Sequence, residues 1–159
     1  MSYANYDLDR SIAAFFSSSG TSATREQCDE FVTREFGGVV HPVPLQGMAS
    51  YTVTTGPNKV VQFREQSNSL NEETVALARA AHPDVVASCT LHGLIGGTPS
   101  DSEAKANALL VYSMGNLPGN NYIYIRSSLA ESFPLQLATV KSLVKFVDTA
   151  YFFASSQLM

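Results

Sequence analysis

The stretch "LLVYSMGNLPGNNYIYIR", from Leu109 to Arg126, decides how the chain is organised. Its first half is apolar and rich in β-forming residues, which predicts a buried strand. A Pro-Gly pair then interrupts the pattern and predicts a turn. From about Asn120 onward we predict helices, the last of them from Leu137 to about Ser156.

The first part of the chain combines helices with extended segments. Two amphipathic helices are predicted, one from about Asp7 to Ser17 and one that opens at a capping box of Thr24 and Gln27 and runs through Phe36. The segments "VVHPVPLQG", "MASYTVTT" and "KVVQFR" follow, and their proline and β-branched residues predict three strands. These patterns indicate that two helices precede a sheet.

A third helix interrupts the strands. "SLNEETVALARAAH" has helical spacing and places four apolar residues toward a core, Leu70, Val75, Leu77 and Ala78. "SCTLHGLIGG" and "ALLVYSM" then predict two further strands, which a polar loop separates. The predicted fold class is α+β, with a five-stranded antiparallel sheet, one inserted helix, and flanking N-terminal and C-terminal helices.

The length of 159 residues suits a single domain with one core. Within this domain we place the N-terminal helices at 1–38 and the sheet with its inserted helix at 39–114. The hinge and the C-terminal helices occupy 115–159.

The composition points to apolar surface that needs a partner. Charged residues make up 15% of the chain, against about 25% in typical domains, and apolar residues make up 45%. A second copy of the chain or an apolar ligand would cover such surface, so we expect a homodimer and a hydrophobic small molecule as partners. The net charge of −4 and the lack of a basic cluster in the sequence argue against nucleic acid as a partner.

The start of the sequence and its apolar stretches bear on the predicted location of the protein. "MSYANYDLDRSIAAFF" lacks a basic start followed by a long apolar run, which argues against a secretory signal. No apolar stretch approaches the roughly 20 residues of a membrane span, so we expect no membrane partner. Cys28 and Cys89 have no paired spacing, which favours reduced, partly buried thiols. These observations predict a cytoplasmic protein.

Four segments together carry a resemblance to a known family. They are "VPLQGMASYTVTTGPNKVVQFREQSNSLNEETVALAR", "HGLIGG", "LLVYSMGNLPG" and "TVKSLVKFVDTAYFFASS", in this order. From about Val39 to Ser156 the chain resembles fungal members of the aminoglycoside phosphotransferase (choline-kinase-like) family. The resemblance implies a truncated member that has a protein-kinase-like small lobe at 39–114, the hinge, and the first helices beyond it.

The resemblance also implies positions for a nucleotide site. In that family a cation on the third strand grips the nucleotide phosphates and pairs with an acid on the next helix. Arg64 takes the cation position, although most kinases have Lys there, and Glu73 or Glu72 takes the acid position. An ordinary ion pair explains the same residues. The loop between the first two strands offers only Gly47, which favours a plain hairpin turn over a phosphate cradle. The hinge at Ser113 to Leu117 implies backbone contacts to an adenine, or tight packing alone.

Phosphoryl transfer needs residues that this sequence lacks. The family supplies a His-x-Asp motif, an Asn and a second metal-binding acid after the hinge, and nothing after the hinge matches here. "HPD" at His82–Asp84 precedes the fourth strand and has Cys89 where the Asn belongs. "DLD" at Asp7–Asp9 precedes the lobe. We therefore expect no phosphotransferase activity, no metal and no other cofactor.

Three interpretations remain for such a lobe. One is a cofactor-independent cyclase or isomerase of fungal natural-product biosynthesis, an association that comes from the resemblance alone. Another is a non-catalytic, pseudokinase-like module for binding or regulation. The third is a truncated product without a function, which the continuous pattern through the final helix disfavours.

The predicted site is an apolar pocket between the sheet and the helices packed on it, lined by the third and fourth strands and the hinge. Three residues are candidate catalytic groups because each can polarise a carbonyl or move a proton: Arg64, His92 and Tyr112. Four more are candidate substrate-binding residues: Glu73, Met114, Tyr124 and Arg126. For each of them a structural hydrogen bond or a solvent-facing position is the alternative. The pleat of the strands decides whether Arg64 and His92 share a face.

Overall fold

The computed structural model describes residues 6–97, 107–119 and 130–156, with side chains as far as Phe146 in the last segment. These residues form four α-helices, five strands and a 3-10 turn at Gln66–Asn68. The helices are α1 (Leu8–Ser18), α2 (Arg25–Phe36), α3 (Glu72–Ala81) and α4 (Phe133–Ser156). The strands are β1 (Val40–Pro42), β2 (Ser50–Thr55), β3 (Lys59–Glu65), β4 (Cys89–Ile95) and β5 (Leu109–Gly115).

The strands form one antiparallel sheet in the order β1-β2-β3-β5-β4. The predicted α+β class, the five-stranded antiparallel sheet and the order of the described elements are confirmed. The last helix begins at Phe133 rather than at Leu137. Pro134 allows this earlier start, because a proline in the first turn of a helix has no N–H that needs a partner.

The chain divides into two compact units. The first, here called the sheet unit, consists of Met1–Asn71 and Ser88–Asn116. The second, here called the helical unit, consists of Glu72–Ala87 and Leu117–Met159. The sheet unit therefore contains all five strands with α1 and α2, and the helical unit contains α3 and α4.

The core of the sheet unit lies between the sheet and its two helices. Alternate residues of the central strands, such as Val61 and Phe63 in β3, are fully buried against Phe15 of α1 and Val32 of α2. We call this side of the sheet the near face and the opposite side the far face. Helix α2 begins at the predicted capping box, in which the Thr24 side chain accepts from the Gln27 N–H and the Gln27 side chain accepts from the Thr24 N–H. That part of the prediction is confirmed.

A hydrogen bond between a helix and a strand joins α2 to the sheet. The Tyr51 hydroxyl, on β2, donates to the Asp29 carboxylate over 2.8 Å. Burial raises the pKa of the Tyr51 hydroxyl, and the bond to Asp29 raises it further, so Tyr51 remains a donor at ordinary pH. Burial also raises the pKa of Asp29, and the Tyr51 hydroxyl opposes that shift because it stabilises the ionised carboxylate.

The chain crosses itself closely at Gly96, just after β4. Gly96 has a φ of +77°, and a Cβ there would lie 2.8 Å from the Ala23 backbone nitrogen. The neighbouring Gly97 N–H donates to the Ser22 hydroxyl over 2.6 Å. The "GG" of "HGLIGG" is thus where the loop before α2 meets the end of β4, and at Gly96 only glycine fits both the conformation and the space.

The helical unit has little buried surface among its described side chains. Val75 and Ala78 of α3 are half-buried, whereas Leu77 is 57% exposed, so the prediction that Leu77 faces a core is wrong. The reason is geometric, because Leu77 is about 130° around the helix from the mean direction of Val75 and Ala78. The His82 ring, which is buried, stacks on Phe146 of α4 with a centroid separation of 3.7 Å. Among the described residues, no helix is long and apolar enough to cross a membrane.

Gly96→Ala tests the close crossing at the end of β4. We expect a loss of unfolding free energy of about 2 kcal/mol or more, because the alanine adds left-handed strain and a contact with backbone. Gly47→Ala is the matched control, since its Cβ would meet only the Ser50 hydroxyl at an ordinary 3.5 Å. Urea unfolding followed by circular dichroism measures both. Equal midpoints for the two variants would contradict the packing described at Gly96.

Asp29 predicts a dependence of stability on pH. Because its folded pKa lies above the ordinary 3.8, the folded state holds this proton more tightly than the unfolded state. Stability therefore falls as pH rises from about 3.8 through the raised pKa, and the Asp29 contribution is constant above it. Asp29→Asn should remove this decline, and Tyr51→Phe should extend it to higher pH because the opposing donor is lost. Unfolding midpoints across acid pH decide this, and a decline that persists in Asp29→Asn would assign it to another group.

Candidate functional site

Arg64 lies on the far face of the sheet, on β3. Its cross-strand neighbours are Ser50 on β2 and Leu110 on β5. The guanidinium donates from Nε to the Asn68 carbonyl over 2.9 Å and from Nη1 to the Gln62 side-chain oxygen over 3.2 Å. Both acceptors are neutral, so they fix the orientation of the cation without cancelling its charge. Within the described residues no hydrogen bond uses Nη2, which leaves the outer edge of the fork for an oxygen of a ligand.

Tyr112 shares the far face with Arg64. It lies opposite Gln62 on the neighbouring strand, which makes it the diagonal neighbour of Arg64. The side chain is buried, with 3% of its surface exposed, and its hydroxyl accepts from the Leu70 N–H over 3.3 Å. Two of the three predicted catalytic residues are thus brought together. In this arrangement the Tyr112 hydroxyl supports the segment after β3, which also supplies the Asn68 carbonyl to Arg64.

His92 lies on the near face, away from Arg64 and Tyr112. A β-bulge shifts the pairing of β4 between Leu91 and Gly93, and His92 is the extra residue. Its Nε2 lies 2.8 Å from the Ser113 hydroxyl, and its ring packs edge-on against Phe36 of α2 with a centroid separation of 5.1 Å. The structure therefore divides the three predicted catalytic residues between two places.

Two of the four predicted substrate-binding residues, Met114 and Glu73, lie within the part of the chain that the structure describes. Met114 lies on the far face near the end of β5, opposite Val60. Glu73 is exposed in the first turn of α3, in the helical unit, whereas Arg64 belongs to the sheet unit. Tyr124 and Arg126 lie outside the described residues. The Arg64–Glu73 pair and the roles of these four residues stay predictions.

The predicted location of the pocket is occupied by the core. Between the sheet and helices α1 and α2 the side chains Tyr51, Val53, Val61, Phe63 and Val32 are fully buried. Tyr51 and Phe63 stack with centroids 6.0 Å apart, and Phe31 packs on Phe63 at 6.3 Å. Core side chains therefore fill the space between the sheet and helices α1 and α2.

The loop between β1 and β2 is fixed by a side chain. The Gln46 amide accepts from the Thr52 N–H and donates to the Thr52 carbonyl, each over 2.8 Å, which copies the pairing of a strand. The Gln46 N–H donates to the Tyr6 hydroxyl over 2.7 Å. Gly47 has no positive φ. These bonds describe a clamped loop, which agrees with the interpretation of this segment as a plain turn and not as a phosphate cradle.

The other motifs that were compared with the family pattern form hydrogen bonds, an ion pair or a ring contact within the structure. Asn116, in the predicted hinge, donates its N–H to the Asn58 carbonyl in the turn between β2 and β3 over 2.9 Å. Asp7 of "DLD" caps helix α1 by accepting from the Arg10 N–H, and Asp9 pairs with Arg25 over 3.0 Å. His82 of "HPD" is the ring that stacks on Phe146.

Sequence reasoning missed three residues of these sites, Gln62, Asn68 and Ser113. The alternation of the strand could have predicted Gln62 as a neighbour of Arg64, because it lies two residues earlier and so on the same face of the strand. Asn68 acts through its backbone, which leaves no signal in the side chain. Ser113 stands in the apolar run "LLVYSMG", where a single hydroxyl is a weak signal.

Comparisons of this chain with family models, with curated proteins and with solved structures give no match. The kinase-like small lobe is therefore carried by the sequence resemblance alone. Within the part of the chain that the structure describes, no group of three or more His, Cys, Asp or Glu residues is arranged to hold a metal ion.

Proposed function

We propose that the sheet unit binds a small molecule on its far face, and that this molecule carries a carboxylate or carbonyl oxygen on an apolar body. One observation supports this most strongly. Leu94, Leu110 and Arg64 lie opposite one another on β4, β5 and β3, in one row across the sheet. The row begins with an exposed leucine and ends in a cation whose two hydrogen-bond acceptors among the described residues are neutral.

The leucine side chains at the apolar end of this row are exposed to solvent. Leu94 is 45% exposed and its far-face neighbour on the same strand, Leu91, is 42% exposed, while Leu110 is half-buried. Exposed apolar side chains that adjoin one another are more informative than isolated ones, because they mark surfaces that gain free energy when covered. Neighbouring strands are about 4.8 Å apart, so the row fits a ligand about 10 Å long.

The polar end supplies orientation and affinity. A guanidinium presents its donors in a planar fork that matches a carboxylate, and such charge-assisted bonds are roughly twice as strong as neutral ones. Arg64 is held on a rigid strand by Gln62 and Asn68, so little side-chain entropy is lost on binding. The same cation would stabilise negative charge that develops on a carbonyl oxygen.

This site fits two of the functions that the sequence suggests. In the first, the protein is a cofactor-independent cyclase or isomerase in which Arg64 polarises the substrate. In the second, it is a non-catalytic, pseudokinase-like module that binds the molecule without changing it. We favour binding as the shared core of both, because the far face supplies a fixed cation and an apolar row, and Tyr112 is engaged with Leu70.

Arg64→Ala tests the site with a pair of simple probes, 1-naphthylacetate and its neutral amide. We expect the Kd of the acid to rise at least tenfold, since a hydrogen bond to a charged group is worth about 1.5–3 kcal/mol, and the Kd of the amide to rise less. Arg34→Ala is the control, an exposed arginine of the same unit. Leu94→Ser should weaken both probes, with Val39→Ser, another exposed residue, as its control.

Ligand-observed NMR titration measures these affinities, and circular dichroism confirms that each variant is folded. Two results would contradict the proposal. One is an acid that binds wild type and Arg64→Ala equally well, and the other is an acid that does not bind wild type at all.

A second prediction is that this chain does not transfer phosphate from ATP. The sequence after β5 has no His-x-Asp motif followed by Asn, and these residues position the acceptor hydroxyl and the metal ions in the family that the chain resembles. Labelled ATP with magnesium, alcohols and aminoglycosides should give no product above a heat-inactivated control. Turnover in the native sample alone would refute the prediction.

A further inference from the structure

A serine and a histidine form a hydrogen-bonded pair at the rim of the near face. The His92 Nε2 and the Ser113 Oγ are 2.8 Å apart, which is the separation that a hydroxyl nucleophile and its general base require. His92 is exposed on the edge strand β4, whereas Ser113 is 5% exposed on β5. A substrate would approach the hydroxyl from the side where the imidazole meets solvent.

The β-bulge provides both the placement of His92 and room beside it. His92 is the extra residue of the bulge, and it lies next to Ser113 across the strand pair. Gly93 follows with a φ of +114°, and a Cβ built on it would meet no atom within 4 Å. Unfilled space therefore lies beside Gly93, the residue that follows His92 on the edge strand. Bulges are frequent beside active sites because they re-aim one side chain in this way.

Two further near-face groups border the pair. The Phe36 ring packs edge-on against His92 and restricts its rotation. The Lys59 ammonium lies 5.3 Å from the centroid of the same Phe36 ring. On β3, Lys59 is two residues from Val61, the cross-strand partner of Ser113, so it is the diagonal neighbour of the serine. A flexible cation at this diagonal position can reach an oxygen that becomes negative next to Ser113.

We propose that Ser113 and His92 are a nucleophile and general base that accept the acyl group of an activated carboxylic ester. The Ser113 Oγ attacks the ester carbonyl carbon while its proton passes to the His92 Nε2. The Lys59 ammonium faces the resulting oxyanion. The carbon–oxygen bond to the alcohol then breaks, and His92 returns the proton to the departing oxygen. Water repeats the two steps with His92 as base, which releases the carboxylic acid and restores Ser113.

This proposal is independent of the far-face site, because it uses residues on the other side of the sheet. It also differs from a purely structural role of the pair, in which His92 only satisfies the buried Ser113 hydroxyl. A structural pair needs a hydrogen bond, whereas catalysis needs a nucleophile at position 113 and a base at position 92. The two roles therefore respond differently to a change of nucleophile.

The test treats the full chain with p-nitrophenyl acetate and, separately, with a fluorophosphonate probe. Peptide mapping by mass spectrometry then locates the modified residue. We expect modification of Ser113 in wild type, none at this position in Ser113→Ala, and a rate at least about 100-fold lower in His92→Ala, since a general base contributes about 10²–10⁴-fold. His41→Ala and Ser50→Ala are controls that remove an imidazole and a hydroxyl elsewhere in the sheet, and both should react like wild type.

Ser113→Cys separates the catalytic role from the structural one. The thiol should accept the acetyl group, and this reaction should slow in the Ser113→Cys, His92→Ala double variant. Circular dichroism confirms folding in each case. An unmodified Ser113 in folded wild type, or modification of Ser113 at the same rate in His92→Ala, would overturn the proposal.

Discussion

The pairing of β3 with β5 is the constraint on which the rest of the structure depends. Seven residue pairs run from Lys59 opposite Gly115 to Glu65 opposite Leu109. Because successive residues of a strand point to opposite faces, this one register sends Val61 and Phe63 into the core and leaves Gln62 and Arg64 on the far face. A slip by one residue would bury the arginine and expose the core, so the same pairing fixes the fold and the candidate site.

Most of the secondary structure follows from signals within a few residues. The capping box of Thr24 and Gln27 marks the start of α2, and the β-branched run of β2 marks a strand. The start of α4 was not predicted correctly from such signals. A proline usually ends a helix, yet it is tolerated in the first turn, as Pro134 is here. Local patterns therefore give the elements, while the division into two units depends on contacts that no local pattern contains.

The candidate sites were harder to predict because they depend on register. Arg64 and Tyr112 are far apart in sequence and meet only because Gln62 lies opposite Tyr112. A glycine inside a strand, Gly93, is the one sequence signal for the bulge that places His92 on the near face. This glycine alone does not indicate which neighbouring residue changes face. Once the bulge is present, Ser113 becomes the partner of His92, a pairing that no spacing along the chain indicates.

The clamped loop between β1 and β2 connects the family resemblance to the proposed function. A loop that covers phosphates needs backbone N–H groups that are free to face them, as glycine-rich loops provide. Here the Gln46 N–H is engaged by Tyr6, and the Gln46 amide holds Thr52 at both its N–H and its carbonyl. Such a loop stiffens the edge of the sheet beside Ser50 and Arg64. Rigid support of this kind suits the proposed far-face site, in which one oriented cation would supply the affinity, because a fixed donor loses little entropy when its ligand arrives.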